Sequence, residues 1–96
     1  QRLTVLATHE SFIREAERLA AAGIRRVPML ELQAGRGVDL QWSWHVDPES
    51  SSFADVGPAV CDGCPADVEG DKGYWLGTVQ SFCPWTASVA RVVRTP

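Results

Sequence analysis

Three cysteines and one short polar run are the places where this 96-residue chain could do chemistry. Cys61 and Cys64 stand in C-D-G-C, the spacing of thiol–disulfide catalysts, in which a helix N-terminus lowers the pKa of the leading thiol. Asp62 beside that thiol works against a stabilised thiolate, and the expected order of strands lacks the parallel βαβ context of such catalysts. The three thiolates with His45 or His9 would supply four zinc ligands, but the single C-x-x-C pair is followed by no second pair. The simpler reading is one disulfide and one remaining cysteine, a pattern of small proteins in oxidising compartments. A Cys61 to Cys83 bridge would close a loop of about twenty residues and contribute on the order of 3 kcal/mol through loop-closure entropy.

Ser43, His45 and Asp47 alternate along Q-W-S-W-H-V-D, so an extended strand would point all three the same way, in the chemical order nucleophile, base, orienting acid. Positions two apart lie ~6 to 7 Å from one another on a straight strand, and no G-x-S-x-G elbow presents the serine. Local hydrogen bonding around the Asp47-Pro48 turn accounts for the same residues, and an H-x-D metal site lies between these readings. The acidic stretch Asp67 to Gly73 echoes a calcium loop, but its glycine falls at position seven and Thr78 stands where a bidentate Glu belongs. Trp75, Phe82 and Trp85 fall in the least regular part of the chain, where they form a candidate binding surface.

These residues must be held by local elements, and hydrophobic periodicity supplies an expected order. Leu3, Val5 and Ala7 share one face of a strand over residues 2–7. Thr8 or Ser11 caps a helix carrying Phe12, Ile13, Ala16, Leu19 and Ala20 on one side, and Gly23 stops it. Val27 to Leu32 is a second strand in which Pro28 belongs at the start or on an edge. Ala34 to Gly37 turns the chain, and Gln41 to Val46 returns as a third strand with Trp42, Trp44 and Val46 inward. Asp55 begins a second helix that Gly63 and Pro65 shorten or kink, and Ala87 to Val93 closes the sheet. Strand, helix, strand, strand, helix, strand is the order of an α+β, ferredoxin-like split βαβ sandwich, an antiparallel sheet with two helices on one face.

Length and composition bound the class. Residues 1–96 suffice for a single domain, and 45% hydrophobic content with four Trp exceeds what a disordered tail carries. A formal charge of −3 argues against nucleic acid or an anionic membrane as partner, since both favour a basic surface. No apolar run approaches the ~18 residues of a membrane span. A chain opening on Gln1 rather than Met is expected to be either a processed mature form or a trimmed one, and a secreted or extracytoplasmic protein fits the first.

The motifs W-S-W-H-V-D-P-E-S-S-S-F-A-D and A-V-C-D, with F-C-P-W-T-A-S-V-A-R-V-V farther on, resemble the BP-seventy-four N-terminal domain family, named after a proposed calmodulin-binding protein. The resemblance covers most of the chain. It implies that Trp42, His45, Asp47, Pro48, Ser50, Ser52, Phe53 and Asp55 occupy motif positions, as do Cys61, Asp62, Cys83, Pro84 and Trp85. It also implies a Cys61–Cys83 bridge, with Cys64 left free where a small hydroxyl residue is usual; an odd cysteine of this kind is separately a candidate for linking two copies in a dimer. Ser51, Ala54 and Gly57-Pro58 depart from the family pattern. The first helix mixes Glu10, Glu15 and Glu17 with Arg14 and Arg18, unlike a basic calmodulin-target helix.

The resulting expectation is a small, secreted, non-catalytic protein-recognition module, inhibitor- or propeptide-like by fold analogy, with a protein partner and no cofactor. The competing expectation is a metal-binding protein or hydrolytic enzyme centred on His45 and Asp47.

Overall fold

One strand organises the sheet. The computed structural model describes residues 1–95, and in it β1 (Val27–Ala34) is antiparallel to β2 (Trp44–Val46), β3 (Ser52–Ala54) and β4 (Ser81–Phe82). The registers pair Leu32 with Val46 and Ala34 with Trp44, Val27 with Ala54, and Leu30 with Phe82. Helix α1 (Glu10–Ala22) precedes the sheet in sequence, while the short helices α2 (Pro65–Gly70) and α3 (Lys72–Tyr74) lead through a π-turn, Trp75–Val79, into β4. The protein is thus α+β with a four-stranded antiparallel sheet.

The ferredoxin-like order is not reproduced among the described residues, because its first and last strands do not form. Residues 2–7 keep the expected alternation, with Leu3, Val5 and Ala7 half-buried and Arg2, Thr4 and Leu6 exposed, but join no ladder. Their position is fixed instead by Thr4 N–H donating to Asp39 Oδ2 at 2.8 Å and Thr8 N–H donating to the Pro48 carbonyl at 2.8 Å. Residues 87–93 are irregular as well, and Arg94 beyond them donates to both Glu10 and Glu17 on α1. The strand pairings that the ends were expected to supply come from β3 and β4, two short segments of ordinary composition.

Helix α1 follows its periodicity. It buries Ala16 and Leu19, and its Phe12 stacks on Phe53 of β3 with ring centroids 4.7 Å apart. Gly23 ends the helix at φ 67°, a left-handed conformation in which its N–H reaches the Leu19 carbonyl. The N-cap is His9, without a side-chain cap, because the Thr8 hydroxyl donates to the Pro48 carbonyl and Ser11 pairs with the His9 ring. The outer face is fastened by guanidinium groups. Arg26 links Glu15 to Asp55, and Arg94 links Glu10 to Glu17. The Arg18 and Arg26 guanidiniums together hold the Glu15 carboxyl down to about 2.

The second helix begins at Pro65 rather than Asp55. Asp55 is an ion-pair partner of Arg26, and Gly57-Pro58 keeps the chain extended into a 3-10 turn at Ala59–Cys61. Pro65 occupies the first turn of α2, where its missing N–H costs nothing, and Asp67 caps back onto the Cys64 N–H at 2.8 Å.

Trp42, Trp44 and Val46 are all buried, as alternation requires, and meet Leu30, Val68, Trp75 and Phe82 in the main core. Phe82 is edge-on to both Trp44 and Trp75, with centroids 6.1 and 5.9 Å away. Each large side chain so buried contributes about 1.5 to 3 kcal/mol of transfer free energy, which is why a two-residue strand, β4, can hold its place.

Candidate functional site

Cys61 and Cys83 form a disulfide, with Cα atoms 5.0 Å apart, at the end of the sheet where the 3-10 turn meets β4. The Cys83 N–H also donates to the Cys61 carbonyl at 2.7 Å. Trp85 is tied to the same place through its backbone N–H to Asp62 Oδ1 at 2.8 Å and its indole N–H to the Pro58 carbonyl at 3.3 Å. Cys64 is a free, exposed thiol. The bridge divides the C-D-G-C motif, so its two sulfurs do not act as a redox pair.

The expected aromatic surface does not form. Trp75 and Phe82 are buried in the main core, and of the three only Trp85 is exposed. The reason is local. The π-turn after α3 rotates Trp75 inward against Phe82, and pairing with Leu30 places Phe82 on the interior face of β4.

Ser43, His45 and Asp47 alternate as expected and are each half-buried, yet they engage separate partners. Ser43 donates its N–H to Glu69 Oε1 at 2.7 Å and its hydroxyl to Glu69 Oε2 at 2.6 Å, while Lys72 Nζ donates to Ser43 Oγ at 2.8 Å. The Ser43 hydroxyl and N–H, with Lys72 nearby, hold the Glu69 carboxyl below the usual glutamate range. This arrangement clasps α2 and α3 to the chain entering β2, and the hydroxyl proton is already committed to a carboxylate. Glu69 and Lys72 carried a helical i,i+3 signal in the sequence, but nothing there linked them to a serine 26 positions away.

His45 Nδ1 lies 2.8 Å from the Gly35 carbonyl and Nε2 lies 2.9 Å from Gln33 Oε1. A carbonyl can only accept, so Nδ1 carries a proton, whereas the Gln33 amide can present either end to Nε2. Asp47 turns away and accepts from the Glu49 N–H at 3.0 Å. That bond, with the Ser50 hydroxyl, holds its carboxyl below the usual aspartate range. Ser43 thus serves the α2–α3 clasp, His45 the β1–β2 hairpin and Asp47 the Asp47-Pro48 turn.

On the side of β2 facing the N-terminal arm lies an apolar groove of about 360 Å³, lined by Leu3, Val5, Leu6, Val38, Trp44 and Val46. Leu6 and Val38 are each about half exposed at its rim, and Leu40, two residues beyond Val38, is 73% exposed. Gly37 lets the loop approach His45, since a Cβ there would stand 2.6 Å from the His45 Cβ. Burial opposes ionisation of Asp39, at the edge of the groove, but the N–H groups of Thr4 and Gln41 outweigh it and hold the carboxyl below the ordinary aspartate value. The indole N–H of Trp44, in the groove wall, is buried without a hydrogen-bond partner among the described residues. A second groove, of about 450 Å³, runs between the start of α1 and β3 and is polar, with Glu15, Arg26, Glu49 and Ser50 among its walls.

Among the described residues, no group of three or more His, Cys, Asp or Glu side chains is placed to hold a metal ion, and no helix is long and apolar enough to cross a membrane. The intramolecular disulfide is compatible with an oxidising compartment. No curated protein and no solved structure matches the chain. The family model of the BP-seventy-four N-terminal domain matches residues 1–96, with the bridged pair Cys61 and Cys83 inside the match, and the chain belongs to the BP-seventy-four N-terminal domain family.

Proposed function

We propose that this domain is a non-catalytic protein-recognition module that works outside the cytoplasm, with the groove between the N-terminal arm and the Gly37–Leu40 loop as its contact surface. The observation that carries the reading is the gathering of apolar side chains in and around that groove, with Leu6 and Val38 at its rim and Leu40 beside it. Exposed apolar residues scattered singly need no explanation, but several bordering one concavity are typical of a binding surface. The polar residues of the same area support a fixed frame rather than a reaction. His45 is engaged at both ring nitrogens and Asp39 at both carboxylate oxygens.

Selection from a displayed random-peptide library against the intact, oxidised domain tests the reading. Selected ligands are expected to lose at least about tenfold in affinity for Val38→Asp and Leu6→Asp variants that keep the wild-type melting temperature. Ligands that bind both variants as tightly as wild type would place recognition elsewhere and overturn the assignment.

A further inference from the structure

Resting on that reading, we infer that the groove takes an extended peptide segment which adds as a β-strand beside the N-terminal arm, with apolar residues at alternate positions and acidic residues at its flanks.

The arm is the first support. Residues 2–7 are laid out with the alternating burial of a strand, yet no strand pairs with them. Within this segment, the N–H groups of Leu3, Val5, Leu6 and Ala7, and the carbonyls from Arg2 to Ala7, have no protein hydrogen-bond partner among the described residues. An extended, unpaired backbone is a template for another strand, and main-chain bonds of this kind give affinity with little sequence demand. It also lies directly on an apolar groove, which would receive every second side chain of the incoming segment.

Charge supplies the flanks. Arg14, Arg18, Arg26, Arg94 and Lys72 each pair with a carboxylate of the chain. Arg2, Arg25, Arg36 and Arg91 form no ion pair with any described carboxylate, and of these Arg2 and Arg36 are next in sequence to the groove residues Leu3 and Gly37, with the Arg36 guanidinium donating to the Leu40 carbonyl at 2.7 Å. Asp39 is the carboxylate in the groove lining, and the N–H groups of Thr4 and Gln41 already occupy it. A protein of net charge −3 thus carries a cationic residue next in sequence to each side of the groove lining, and acidic flanks on the partner complement them.

The test uses the whole oxidised chain and synthetic nonapeptides in isothermal titration calorimetry. The lead peptide alternates valine and threonine between two aspartates at each end. A second carries lysines in place of the aspartates, and two more carry N-methyl groups on one or the other alternate set of amides. The lead peptide is expected to bind, the lysine version about tenfold or more weaker, and Arg36→Glu is expected to reverse that preference. One methylated set is expected to abolish binding while the other leaves it intact, because only one edge of the added strand faces the arm.

Failure of the lead peptide to bind, equal binding of the lysine version, or indifference to both methylation patterns would overturn the inference. Library ligands that depend on Val38 and Leu6 but bind as helices would overturn it too, while leaving the recognition reading intact. Library ligands indifferent to Val38 and Leu6 would remove that reading itself.

Discussion

Two ends of the sheet are built from irregular chain and fastened by different physics. Where the 3-10 turn meets β4, the Cys61–Cys83 bridge, a backbone bond between the same residues and both N–H groups of Trp85 fix the geometry several times over. Where the N-terminal arm borders the groove with β2, the holding interactions are a few hydrogen bonds to Asp39 and Pro48 and one from the Ala66 N–H to Gln1 Oε1, together with the half-buried Leu3 and Val5. Exposed apolar groups occur at both ends, Val56 and Val60 at the first and Leu6 and Val38 at the second. The difference lies in the backbone. The bridged end ties the Cys83 and Trp85 backbone N–H groups and the Trp85 indole back to Cys61, Asp62 and Pro58, while the arm leaves most of its own backbone groups open to water or a partner.

Breaking the bridge should have the largest effect. A Cys61→Ser, Cys83→Ser double variant is expected to lose about 3 kcal/mol, the loop-closure value for a separation of 22 residues, measured by urea unfolding. An unchanged midpoint would mean that the surrounding hydrogen bonds suffice and that the two ends differ less than the covalent map implies. Gly37→Ala addresses the opposite end. Its added methyl must displace His45 or the loop, and overpacking of this kind costs about 1 to 3 kcal/mol. Its amide chemical-shift changes should centre on the groove and leave residues 58–62 still.

Removing Asp39 with Asp39→Ala should cost about 1 kcal/mol through the hydrogen bonds it accepts from Thr4 and Gln41. The same contact gives a pH signature. The Asp39 carboxyl ionises below its ordinary value of 3.8 in the folded protein, so its stabilisation is fully present above that pH and is lost as pH falls through the lowered value. An NMR titration should show the Thr4 amide shifting with a midpoint below 3.8, with the Cys83 amide unaffected by that transition. Cys64→Ser closes the series with a change within about 0.5 kcal/mol, since serine is at least as good an N-cap and the thiol is exposed. It is also expected to remove any disulfide-linked dimer on a non-reducing gel, and a dimer that persists would exclude Cys64 as the link.

Much of the fold was legible where side chains alone decide. The α1 periodicity, its stop at Gly23, and the inward face of Trp42, Trp44 and Val46 needed only local pattern. The inward alternation of Leu3, Val5 and Ala7 was also correct, but alternation reports which face is buried and says nothing of whether the backbone finds a partner. β3 escaped because P-E-S-S-S reads as loop, and its pairing to Val27 and Met29 depends on backbone groups that every residue carries. The groove was invisible for a related reason. It joins residues 3–6 to 37–39 and 44–46, and no spacing rule spans those intervals.

The moorings of α1 carry a consequence of their own. The helix sits on a narrow buried face of Ala16 and Leu19, while Arg26 and Arg94 stitch its outer carboxylates to distant parts of the chain. The half-exposed Arg94 links weaken most as the screening length shrinks toward ~3 Å in molar salt and the more buried Arg26–Glu15 pair less so, whereas the apolar core under the sheet has no ion pairs to screen. Reductant and salt should therefore loosen the molecule at different places, one opening the β4 edge and the other lifting the helix from β3.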